Sequence, residues 1–211
     1  MKISLDWLKE KNACEEGIRW FSVQKETDAL NVIKTLMADN RSDWANWLIV
    51  RLMEYKQYVA YAIFAAEQVV WIYEKKYPGD KRPRTAIDAA KKCLKDQSKE
   101  NKAAADAAYA AAYAAYAAAR DAAAYAAAYA AYAAADAAYA AAWADARAAA
   151  ARDAAAYAAA YAAYAAADAA YAAAWDAARD AAAYAAYADA DAAYAKKMKI
   201  KILRYGIKLL D

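Results

Sequence analysis

The chain has 211 residues, carries 29 basic against 26 acidic side chains, and contains no histidine. Histidine bases, histidine metal sites and histidine-based triads are therefore excluded, and two cysteines are too few for a disulfide framework or a cysteine-rich zinc site. Three glycines and two prolines are also too few for a turn-rich all-β fold, so the composition points to an all-α protein.

In chain order, Ser4 is placed to cap a first helix over Leu5 to about Glu10, interrupted by Asn12. A second helix is expected from about Ala13 to Ser22, anchored by Ile18, Trp20 and Phe21 and weakened by Gly17, whose helix cost is about 1 kcal/mol. Thr27 or Asp28 then caps a third, with Leu30, Ile33, Leu36 and Met37 at helical spacing, ending at Asn40-Arg41. Ser42-Asp43 opens the most apolar stretch, with Trp44, Trp47, Leu48, Leu52 and Met53 on one face. That pattern runs on to Tyr77 without Gly or Pro, which as one helix would span about 50 Å. A break near Tyr55-Lys56-Gln57 and two antiparallel helices are expected, closed by Pro78-Gly79-Asp80. Pro83 is read as a loop residue, Thr85 to Asp88 as a capping box, and Ala86 to Lys95 as the next helix. Residues 1–97 thus form an N-terminal amphipathic helical lobe, and 98–102 a polar linker. Cys14 and Cys93 read as small core residues in a reducing compartment.

Residues 103–195 are built from five residue types: 63 Ala, 14 Tyr, 2 Trp, 10 Asp and 4 Arg. Residues 120–143 and 152–175 are identical, a repeat of helical-unit size. In the first copy Asp121, Tyr125, Tyr129, Tyr132, Asp136, Tyr139, Trp143 and Arg147 follow a 4-4-3-4-3-4-4 spacing. At roughly 100° per residue they fall within about an 80° arc. The second copy places Tyr157, Tyr161, Tyr164 and Asp168 identically. Alanine fills the other faces and admits close Ala–Ala helix packing. Residues 103–211 are read as a helical-repeat lobe with a basic C-terminal helix, and the whole as a multi-helix bundle or helical-repeat array. A straight rod could not bury its own stripe, so breaks are expected at Arg120-Asp121, Arg152-Asp153 and Arg179-Asp180, with Asp136 and Asp168 as weaker candidates. Buried Asp within the stripe calls for Tyr O–H donors. The stripe reads either as core or as an exposed partner-binding surface.

Charge is unevenly placed: 4 Arg against 10 Asp in residues 103–195, and six Lys/Arg against Asp211 after them. Aromatics therefore lie in the acidic segment, which counts against a nucleic-acid groove. The basic tail from Lys196 reads as a dipole partner whose apolar residues dock back on the bundle. No signal peptide and no bilayer-spanning window is read, giving a cytoplasmic protein with no membrane partner. No nucleophile, metal set or cofactor motif accompanies Glu15-Glu16 or the stripe carboxylates, so neither catalysis nor a cofactor is expected.

Three phrases occur together: Asn12 to Phe21 (NACEEGIRWF), Asp43 to Leu48 (DWANWL) and Tyr77 to Ala90 (YPGDKRPRTAIDAA). With the Ala/Tyr/Asp tract behind them, the chain resembles the Ala-rich immunity proteins of bacterial polymorphic toxin systems, including their phage and prophage relatives. The resemblance implies an all-helical protein that works by binding. The expected function is immunity-like or phage counter-defence inhibition of a toxin or effector by occlusion. Candidate binding residues are Asp80, Arg82 and Arg84 in the charged loop, with the stripe residues Tyr125, Tyr129, Tyr132, Asp136, Tyr157, Tyr161, Tyr164 and Asp168. Two alternatives stand beside it: a small-molecule or nucleotide sponge between helices, and a structural or ice-interacting Ala-rich protein.

Overall fold

The computed structural model describes residues 1–118, 128–135, 158, 161–162, 165–166, 168–169 and 184–211. Every regular element among them is an α-helix, packed into an all-α bundle. The first is α1 (Leu5–Glu10), where the Ser4 hydroxyl accepts the Trp7 N–H at 3.1 Å. Asn12, at φ 57°, turns the chain out of it. In α2 (Glu15–Ser22) the N-cap is Cys14, whose sulfur accepts the Gly17 N–H at 3.4 Å. Cys14 is therefore exposed at a helix start and is not the core residue its type suggested, whereas Cys93 is buried. In α3 (Ala29–Ala38) Asp28 supplies the cap, accepting the N–H groups of Leu30 and Asn31. Asn40, again at φ 57°, leads into α4 (Ser42–Leu52).

The long apolar stretch divides into three helices, not two. The first break falls at Met53-Glu54, one residue before the expected position, and α5 (Tyr55–Glu67) begins with Gln57 accepting the Glu54 N–H at 2.7 Å. A second break at Gln68-Val69 precedes α6 (Val70–Lys76). There the Gln68 amide bonds back to the Phe64 carbonyl, and the β-branched Val69-Val70 pair follows. An amphipathic pattern that continues unbroken hides both effects.

α7 (Arg82–Lys95) starts four residues earlier than expected. Pro83 lies in its first turn and not in a loop, because that turn has N–H groups with no helical partner and Pro loses nothing there. α8 (Lys99–Ala118) likewise absorbs most of the expected 98–102 linker. Ser98 accepts the Asn101 N–H, and Asp96 accepts the Ser98 N–H, so three residues suffice to reverse the chain. α8 packs along α7, where Ala86, Ala89, Ala108, Ala112 and Ala135 form one buried cluster flanked by Tyr109 and Tyr132.

α9 (Tyr184–Leu210) closes the bundle by packing on α3, α4 and α5. Ile202 and Leu203 are buried, Tyr205 stacks on Phe64 with ring centroids 4.0 Å apart, and the Gln57 amide donates to the Leu209 carbonyl. Lys199 and Lys201 reach Asp43 and Gln68, both at 2.6 Å. Gly206 is buried where a Cβ would lie 2.8 Å from Ile49 Cγ2 and from Tyr61 Cε2. The basic tail thus docks as read. The compositional boundary at 98–102, however, is no boundary of the core. A single hydrophobic cluster joins Ile3, Ile49 and Ile87 to Ala128–Ala134, Ala162 and Leu203. The expected breaks at Arg120, Arg152 and Arg179 lie outside the described residues, as does the candidate at Asp136; Asp168 is helical.

Inside that cluster the Tyr61 hydroxyl donates to the side-chain oxygen of Asn46 at 2.7 Å, both residues buried. Asn46→Leu strands the hydroxyl and should cost about 2 kcal/mol, whereas Tyr61→Phe with Asn46→Leu together should recover part of it. Urea unfolding of Asn46→Leu, Tyr61→Phe and the double variant checks this; an additive double variant would show that the pair is not coupled.

Candidate functional site

The first candidate set, Asp80, Arg82 and Arg84, is brought together at the start of α7. The Asp80 carboxylate accepts the Arg82 backbone N–H at 3.0 Å, the Arg82 Nε at 2.9 Å and Nη2 at 2.6 Å, and the Tyr73 hydroxyl at 2.7 Å. Arg84 grips Glu74 through Nε at 2.8 Å and Nη2 at 2.6 Å. Both guanidinium forks are thus filled by carboxylates of this chain. Hydrogen bonding from Arg82, opposed by burial, holds Asp80 well below the usual carboxylate range, and Arg84 lowers Glu74 in the same way. Burial first, and the Asp80 bond second, pushes the Tyr73 hydroxyl up to about 12. The arrangement is an internal clamp holding α6 to α7. It is not a pair of forks presented to an external anion.

The second set, the Tyr/Asp stripe, is described in part. Tyr129 and Tyr132 are half-buried and sit among other tyrosines. The Tyr109 and Tyr132 hydroxyls are 2.7 Å apart, Tyr113 stands 5.6 Å from Tyr132, and Tyr161 meets Tyr129 edge-on at 6.1 Å. Ala128, Ala130, Ala131, Ala133, Ala134 and Ala135 are all buried, so the alanine faces of this segment are core. Tyr109, Tyr129 and Tyr132 fill space beside close Ala contacts, whereas Tyr113 and Tyr161 are exposed. Asp168 keeps contact with solvent; partial burial raises its pKa, Lys199 opposes that and Asp43 adds to it. Tyr125, Asp136, Tyr157 and Tyr164 lie outside the described residues.

The structure adds a site that the sequence pattern did not single out. Helices α1 to α4 line a partly open cavity of about 240 Å³. Its wall includes the buried side chains of Leu8, Phe21, Val32, Leu36 and Leu48, together with three half-buried tryptophans, Trp20, Trp44 and Trp47. Asn12, Cys14 and Asp43 are its exposed polar members. The tryptophans are held in place. Trp20 donates its indole N–H to Asp39 at 3.3 Å and meets Trp44 edge-on at 6.4 Å. Arg41 lies over the Trp44 ring at 4.2 Å, and Arg51 over Trp47 at 5.4 Å. Periodicity assigns these tryptophans to a core face, and only the packing of α2 against α4 leaves space between them. The signal available beforehand was the density of Trp at positions 20, 44 and 47, in a chain with seven in all.

Among the described residues no group of three or more acidic or cysteine side chains is placed to hold a metal ion, and no helix is long and apolar enough to cross a membrane. No family model, no curated protein and no solved structure matches the chain.

Proposed function

We propose that this is a non-enzymatic binding protein that neutralises a protein partner, a toxin or immune effector, by occlusion. One observation carries the reading. Two of the three phrases behind the resemblance to immunity proteins, Asn12 to Phe21 and Asp43 to Leu48, converge in space on the tryptophan cavity, although about twenty residues separate them in the chain. The face they form combines half-buried Trp with overlying Arg41 and Arg51, the residue types that dominate binding energy at protein interfaces. The third phrase supplies the Asp80 clamp, which holds α6 to α7 and so supports that face from the scaffold.

Co-expression with toxins encoded beside its gene tests this. The chain should restore growth and co-purify with one of them. Trp44→Ala and Arg41→Ala should each weaken that complex by about tenfold or more, roughly 1.4 kcal/mol. Full rescue by both variants would remove the Trp/Arg face from the interface, and failure to neutralise any toxin would remove the reading itself.

A further inference from the structure

We infer that the tryptophan cavity is a binding site for a neutral, compact aromatic small molecule of about two fused rings with a polar substituent. The site lies within the Trp/Arg face but does not depend on a protein partner.

Size sets the first limit. A cavity of about 150 Å³ lined by apolar side chains holds a single benzene ring. The space here, about 240 Å³ and partly open to solvent, holds a second fused ring against its walls. Shape sets the second. Trp20, Trp44, Trp47 and Phe21 give flat walls from two helices, which favour edge-on and offset contacts with another ring. These walls are pinned by the Asp39 and Arg41 contacts, so little ordering is left for binding to supply. Polarity sets the third. The buried wall offers carbon only, and hydrogen-bonding groups stand at the exposed rim, Asn12 and Asp43. A ligand must therefore present its rings inward and its polar substituent outward. Charge sets the fourth. Asp43 is the one charged side chain among the described residues of the lining, so a doubly charged phosphate meets a carboxylate there, whose repulsion Lys199, paired with it at 2.6 Å from outside the lining, reduces but does not reverse. This separates the site from a nucleotide sponge.

Cys14 gives a direct reporter. It is exposed and belongs to the cavity lining, whereas Cys93 is buried and supplies the unreactive internal reference. The experiment measures iodoacetamide alkylation of Cys14 in the full chain during titration with naphthol, naphthyl phosphate and a straight-chain alcohol of the same carbon count. Naphthol should slow alkylation saturably, by about threefold or more, and bind about tenfold tighter than either competitor. Ala13→Trp, which adds bulk to a half-buried lining position, should abolish the protection, whereas Val23→Trp, on the exposed outer surface, should not. Calorimetric titration of the unaltered protein with naphthol checks the same claim without any variant and should give one site per chain. No saturable naphthol binding to the folded protein overturns the inference, as does equal binding of naphthyl phosphate or of the straight-chain alcohol. Naphthol binding without toxin neutralisation would support this site and remove the partner reading; neutralisation without naphthol binding would do the reverse.

Discussion

Gly206→Val is expected to lower the unfolding free energy by about 3 kcal/mol, and Gly206→Ala by about 1–2 kcal/mol. A Cβ at this position would lie 2.8 Å from Ile49 Cγ2 and from Tyr61 Cε2, closer than two carbons tolerate. Neither neighbour has room to yield, since Ile49 and Tyr61 are fully buried and Tyr61 is also tied to Asn46. Helix propensity works the other way: Gly to Ala inside a helix gains about 1 kcal/mol, which reduces the cost of the first methyl. The two branches of Val add volume without that gain and restrict χ1. Urea unfolding of the three proteins should therefore give midpoints in the order Gly, Ala, Val, with unchanged slopes. An Ala variant more stable than the parent would show that α9 does not seat on α4 and α5 at this point.

Asp80→Ala should cost about 2–3 kcal/mol, because it leaves the buried Tyr73 hydroxyl and the Arg82 fork without their shared acceptor. Much of that cost belongs to Tyr73, since the Arg82 side chain is 41% exposed and solvent screens its charge. The clamp also sets two limits in pH. Asp80 has a lowered pKa in the folded chain, so its contribution is fully present well above its ordinary value of 3.8 and is lost as pH falls below it. Tyr73 has a raised pKa, so its contribution is fully present below its ordinary value of 10.0 and is lost as pH rises from there to about 12. Thermal unfolding across both windows should show an acid and an alkaline decline in the parent. Tyr73→Phe should remove this part of the alkaline decline while keeping an acid one. An alkaline limb of the same size in Tyr73→Phe would assign that decline to other groups.

The starts of α1 and α3 were the most legible part of the sequence. Ser4 and Asp28 cap where short polar side chains should, because the signal is local: one oxygen and the free N–H groups of one turn. Two of the misplaced boundaries, the starts of α7 and α8, share a cause. Pro83 and Lys99 were read as loop because of residue type, yet a first helical turn tolerates both, and Asp80 and Ser98 satisfy N–H groups there from outside. Cys14 was misread because a thiol is usually core, and its capping role depends on Asn12 first turning the chain out of α1. The tryptophan cavity was legible only as a density of Trp at positions 20, 44 and 47, and not as a space. Spacing reports which face of a helix is apolar, but not whether two apolar faces meet without a gap. The clamp was half legible: the charges were visible, but their partner Glu74 comes from the preceding helix, and only the fold brings it within reach of Arg84.

The docking of α9 has a consequence for the length of the alanine tract. Lys199 meets Asp43 across 156 residues, so the ends of the chain are joined around everything between them. Closing a loop of that length costs about 4–5 kcal/mol in chain entropy, but the cost grows only with the logarithm of length. Inserting or deleting one 32-residue repeat would change it by about 0.2 kcal/mol. The closure entropy of the ring formed by α3, α4, α5 and α9 is therefore almost indifferent to repeat number, whereas its core is not, since Ala128, Ala131 and Ala162 pack in the same cluster as Ile49 and Leu203. Unequal recombination between the identical segments 120–143 and 152–175 would alter the tract by whole units at little cost in closure entropy. In evolutionary terms a change of copy number would be judged by the packing of the tract against the core and hardly at all by this clasp.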